Sequence, residues 1–190
     1  VPFAPGSSAQ AAKINWDSSA ETPKEPEVVK VVTGVDTPKT AESAGEEKWT
    51  VDELKAGRPT MVYYFIPIAD PKTAKCTEDN YKFSRKTETS AFQNDAVERI
   101  NKSWVPIKVE LDASADLKLE KNQARIEFWS FTGKKIDVIG GKNQQGLNPS
   151  DFETRLKDLE KKNRELCNVE IKRINDEIER RKKQETASVK

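Results

Sequence analysis

"KAGRPTMVYYFI", Lys55 to Ile66, is the stretch on which the fold turns. Gly57 and Pro59 stop a helix, and Met61 to Ile66 then forms a continuous apolar run. A run of that length suits a strand covered on both faces, as in the middle of a parallel or mixed sheet. Upstream, Thr50 precedes Glu53 at the capping-box spacing, and Leu54 continues the short helix. Downstream, Pro67 and Pro71 end the strand and open a loop that contains Cys76.

Beyond that loop, the spacing predicts a helix from about Asp79 to Ser90 and a second segment carrying Phe92, Val97 and Ile100. Val105 to Asp112 is the next strand, Asp116 to Ala124 a short helix, and "RIEFWSF" a strand that turns at Thr132-Gly133 into "KKIDVIGG". The order is helix, strand, helix, strand, helix, hairpin, helix, an α/β domain over residues 47–150. Trp104 and Trp129 belong to its core or lie half-buried.

Two extensions flank that domain. Residues 1–46 hold five of the ten prolines and few large apolar side chains, which predicts an extended or disordered arm. Val28 to Val35 suits a short strand within it, and Trp16 is a solitary large hydrophobe in polar surroundings. Trp16 either touches the domain's own surface or docks on a partner. Residues 151–190 form a long amphipathic helix, with Ser150 and Glu153 at a second capping-box spacing. Phe152, Leu156, Leu159, Leu166, Ile171, Ile174 and Ile178 carry its apolar stripe, and Asn163 lies on the same seam. Helical as far as Arg181, it would span about 45 Å, longer than a small domain covers. The first turns are expected to pack on the domain. The rest calls for a protein partner or a second copy in a coiled coil, where Asn163 would help fix register.

Composition narrows the function. With 33 basic and 32 acidic residues in 190, the net charge of +1 is too even for a chain that holds nucleic acid by counterion release. The longest strongly apolar run, Met61 to Ile68, contains a proline and falls short of the roughly 18 to 20 residues of a membrane span. There is no histidine, which excludes Ser-His-Asp and Cys-His catalysis and most zinc sites. The glycines of "IGGKNQQG" follow a hairpin strand instead of opening a βαβ unit, and "ELDASAD" lacks the glycine and terminal glutamate of a calcium loop. No cofactor is expected. The start at Val1 favours a removed leader, hence a periplasmic or secreted protein.

Three phrases carry a family resemblance: "KAGRPTMVYYF", "ETSAFQNDAVERINKSWVPIKVELD" and "FWSFTGKKIDVIGG". Together they resemble the thioredoxin-like superfamily, in particular its secreted and periplasmic members, over about residues 47–160. The resemblance implies a central mixed sheet flanked by helices. Its register, counted back from Phe92, puts the family's paired cysteines at Tyr81 and Ser84, and counted back from Gly133 puts its cis-proline at Ala124-Arg125. No thiol and no proline stands at any of the four. Thiol-disulfide exchange needs a thiolate and a second, resolving thiol, so the site resembles one from which the chemistry has been lost.

Three functions remain open at this point. The first is a redox-inactive interaction or structural subunit that binds proteins through its arm and C-terminal helix. The second is a thiol oxidoreductase or peroxidase-like enzyme acting through Cys76, which has no second cysteine nearby. The third is an envelope holdase using Tyr81 and Phe83 as an exposed aromatic patch. Cys76 and Cys167, the only two thiols, are bonded to each other, paired between chains through Cys167, or free.

Overall fold

The computed structural model describes residues 13–24, 49–67, 78–112, 122–140 and 146–188. Helix α1 (Val51–Ala56) leads into β1 (Thr60–Phe65), then α2 (Glu78–Lys86), a π-helical turn (Thr87–Ala91), α3 (Asn94–Ser103), β2 (Val105–Glu110), β3 (Arg125–Trp129), β4 (Lys135–Gly140) and α4 (Pro149–Ser188). The expected strand Val28 to Val35, the loop residue Cys76 and residues 116–121 of the expected short helix lie outside the described residues.

The architecture is mixed α/β. Among the described residues four strands run in the order β2-β1-β3-β4. Strand β1 pairs parallel to β2, with Tyr63 opposite Lys108, and antiparallel to β3, with Tyr63 opposite Ile126. Strand β1 is therefore central, and Met61, Val62 and Tyr63 are buried in succession. Met61 and Tyr63 face the main core with Ile126 and Phe128, whereas Val62 faces Ile107 and Trp129 on the other side. That two-sided cover is the physical reason for the unbroken apolar run.

Helices α2, α3 and α4 close the main face with Phe83, Ala96, Ile100, Phe152, Leu156 and Leu159. Trp104, which follows α3, is fully buried among them, and its indole N–H donates to Glu160 Oε1 at 2.9 Å. Arg99 holds the other oxygen of Glu160 at 3.0 Å, so a charge-assisted pair fastens α3 to α4. A bulge in β3–β4 sets Phe128 opposite Asp137 and Trp129 opposite Lys135. Ile136 is the extra residue, and Ile136 and Ile139 both join the main core despite their odd spacing.

Local signals explain most of the boundaries. Thr50 and Glu53 form the expected capping box on α1. The helix expected from Asp79 to Ser90 changes at Thr87 into a π turn, closed by the Phe92 N–H on the Thr87 carbonyl at 3.0 Å. Helix α4 opens at Pro149, one residue before the expected Ser150 cap; a proline at the first helical position forfeits no helical hydrogen bond. Its 40 residues span about 60 Å.

Both sheet edges are engaged within the chain. On β2 the Pro106 carbonyl accepts from the Asp17 N–H at 2.8 Å. On β4 the Ile136 carbonyl accepts from Lys162 Nζ at 3.2 Å, and the Val138 N–H donates to Asp137 Oδ1 at 2.9 Å. Edges so occupied are poor templates for pairing with another chain. Among the described residues no helix is long and apolar enough to cross a membrane.

Candidate functional site

Helix α2, which carries Tyr81 and Ser84, meets the entrance to β3 at Ala124. Asn80, buried near the start of α2, accepts the Ala124 N–H on its side-chain oxygen at 2.9 Å. Ser84 is buried one turn further on, where its hydroxyl accepts the Ile66 N–H at 3.3 Å and its carbonyl accepts from the Tyr63 hydroxyl at 3.3 Å. The serine thus secures the end of β1 to α2. Tyr81 is half-buried. Phe83 is 1% exposed and belongs to the main core, which corrects the expected exposed patch: its side chain lies on the inward face of α2.

Arg125 lies on the opposite face of the sheet. Its guanidinium sits 3.8 Å from the centre of the Tyr64 ring, and its Nε donates to Glu127 Oε1 at 2.7 Å. Glu127 is buried, and Trp129 Nε1 donates to its second oxygen at 3.1 Å. Sequence reasoning missed this carboxylate. The signal was present in "RIEFW", where period-two alternation puts Arg125, Glu127 and Trp129 on one face. Burial, and next the Glu127 charge, push the Tyr64 phenol above its ordinary pKa.

Trp16 is the centre of the second cluster. It stacks on Tyr63 with ring centres 6.1 Å apart and meets Phe92 edge-on at 5.9 Å. Lys108 Nζ lies 5.7 Å from the Trp16 ring and 4.1 Å from that of Phe65, while pairing with Glu88 at 3.2 Å. Of the two readings open for Trp16, contact with its own domain is the one found. Tyr63 is fully buried beneath it, and burial followed by the Glu88 charge pushes its phenol well above the usual range. An open groove of about 540 Å³ runs beside these residues, lined by Lys13, Ile14, Trp16, Glu88, Phe92, Val97 and Lys108.

The third element is the seam of α4. Leu159 is buried in the main core and Leu166 packs against it. Further along, Cys167 and Ile174 are buried against Leu54, and Ile171 is half-buried beside Trp49, Val51 and Phe131. The expectation that this part of the stripe needs a second molecule is corrected: α1 and its flanking aromatics cover it as far as Ile174. Asn163 is also buried, with Oδ1 accepting the Phe131 N–H at 2.7 Å and Nδ2 donating to the Gly57 carbonyl at 3.1 Å. Arg164 Nη1 donates to the Lys55 carbonyl at 2.5 Å, so two consecutive residues of α4 hold the end of α1. Of the large apolar side chains of α4, Val169 at 65% and Ile178 at 39% exposure face outward.

Cys167 is a free, buried thiol, and burial pushes its pKa up, which suppresses the thiolate. Among the described residues no three metal-ligating side chains converge. No protein-family model matches the chain, and no curated protein matches it.

Proposed function

We propose that the chain is a redox-inactive, thioredoxin-like binding subunit of the secreted or periplasmic type. It engages another protein, or a second copy of itself, through its N-terminal arm and the outer end of α4. The observation that carries the reading is the use made of Ser84: at the second of the two positions where the resemblance calls for a thiol, its hydroxyl and carbonyl tie β1 to α2. A residue committed to two structural bonds in the core contributes to the scaffold and not to exchange chemistry.

Further support comes from the mixed sheet flanked by helices, which is the architecture the resemblance implies. The Asn80–Ala124 bond also joins the helix of the former thiol positions to the former proline position. The end of α4 beyond Ile174 supplies the outward Ile178 and the run Arg180 to Lys183. A stripe that ends half-exposed beside a charged run suits a protein contact.

The test is capture of partners from an extract of the source cells, comparing the full chain with one ending at Asp176. That truncation keeps Cys167 and Ile174 against α1. A specific partner or self-association weakened by truncation is the expected result. A chain that stays monomeric and retains no specific protein contradicts the proposal.

A further inference from the structure

The segment Lys13 to Ala20 lies on the domain in the manner of a bound peptide. The side-chain amide of Asn101 on α3 reads its main chain in two places, donating from Nδ2 to the Lys13 carbonyl at 2.9 Å and accepting the Asn15 N–H on Oδ1 at 2.8 Å. The Asp17 N–H then donates to the Pro106 carbonyl on the β2 edge at 2.8 Å. Between these bonds the Trp16 ring drops onto Tyr63 and Phe92. Asp17 Oδ1 accepts from the Ser19 hydroxyl at 2.7 Å and the Ser19 N–H at 2.9 Å, turning the chain over the edge. Ala20 reaches the opposite face beside Val62, Ile107 and Trp129.

From this geometry we infer that the Asn101–Pro106 groove is a peptide-recognition site. Its ligand class is an extended segment of a partner protein presenting a tryptophan followed by an aspartate, for which residues 13–20 are the resident stand-in. Three features argue for recognition of a separable peptide. The groove's hydrogen bonds to residues 13, 15 and 17 all go to main-chain groups, which any extended segment supplies; one aromatic socket adds side-chain selection. Lys108 Nζ, 5.7 Å from the centre of the Trp16 ring, adds a cation–π contact to that socket. Among the described residues no strand includes or pairs with residues 13–24, so leaving the groove breaks none of the pairing among the four strands.

The inference deepens the binding reading by naming the partner's chemistry at the arm's docking face. Its test reads peptide binding alone, whereas the capture experiment varies the end of α4, so the two fail separately. A fluorescent peptide with the sequence of residues 11–24 is titrated against the full chain carrying Trp16→Ala, against the unaltered chain, and against Trp16→Ala combined with Asn101→Ala.

Saturable binding to Trp16→Ala is expected, at least about tenfold weaker in the unaltered chain, where the resident tryptophan competes, and about tenfold weaker without Asn101. Replacing the peptide's tryptophan by alanine is expected to abolish binding. Absence of saturable binding to Trp16→Ala, or binding indifferent to Asn101, overturns the inference and leaves an intramolecular contact only. Dimers of the unaltered chain that the peptide dissociates would overturn the assignment to a partner in favour of segment exchange between copies.

Discussion

The side-chain oxygen of Asn163 stands 2.7 Å from the main-chain nitrogen of Phe131, and through that bond the middle of α4 is fixed to the turn between β3 and β4. The same amide reaches the Gly57 carbonyl at 3.1 Å. One polar residue on an apolar seam therefore satisfies two main-chain groups from different elements, which explains why the seam tolerates it. Its role is intramolecular, unlike the pairing of two tails that its position suggests.

Asn163→Ala removes both partners at once. Each buried main-chain group left without a hydrogen bond costs about 1 to 3 kcal/mol, so for the two a loss of about 2 to 6 kcal/mol is expected. Urea unfolding followed by far-ultraviolet circular dichroism measures it as a lowered midpoint with little change in slope.

Gly57 is required for space, since its backbone is ordinary for any residue at φ −61°. A methyl group there would overlap the Phe131 ring, with Cδ1 only 2.5 Å away. Gly57→Ala should cost about 1 to 3 kcal/mol by overpacking. Combining it with Phe131→Ala should cost less than the sum of the two single changes, a coupling that a double-mutant cycle detects.

Tyr63 makes stability fall at alkaline pH. Its folded phenol is pushed above the ordinary value of 10.0, so above that pH the unfolded chain releases a proton that the folded chain keeps. The stabilisation is complete below pH 10.0 and is lost as pH rises from there toward the folded value, at up to about 1.4 kcal/mol per pH unit. Tyr63→Phe should flatten the profile between about pH 10 and 11, leaving the smaller slope from Tyr64, whose phenol is pushed the same way.

The β4 edge carries its own protection in Lys162 and Asp137, which occupy the Ile136 carbonyl and the Val138 N–H. Lys162→Ala with Asp137→Ala should free both groups beside the outward Val138. Aggregation monitored with an amyloid dye is expected to begin at a lower protein concentration than for the unaltered chain. An unchanged onset would mean that the bulge at Ile136 already suffices.

Much of the fold was legible because its signals are local. The run Met61 to Ile66 announces a strand covered on both faces, and Val62 and Tyr63 do face opposite sides. Thr50 with Glu53 caps α1, and Gly133 makes the hairpin turn at φ 82°. The parts that were not legible depend on long-range packing. Six-residue α1 has too little periodicity to advertise that Leu54, with Trp49 and Val51 beside it, would cover α4 as far as Ile174. Phe83 stands between Tyr81 and Ser84 in sequence but points inward because of where α2 sits on the sheet. Trp16, a lone aromatic among polar residues, gives no hint of a socket assembled from β1, β2 and the residue after the π turn.

Reduction of insulin by dithiothreitol separates a scaffold without thiol chemistry from an enzyme acting through Cys76. The full chain and Cys76→Ser, in which buried Cys167 is the one remaining thiol, are each compared with buffer. Neither is predicted to accelerate precipitation of the insulin chains. Acceleration by the full chain that disappears in Cys76→Ser would contradict the account and make Cys76 the reactive thiol of an enzyme.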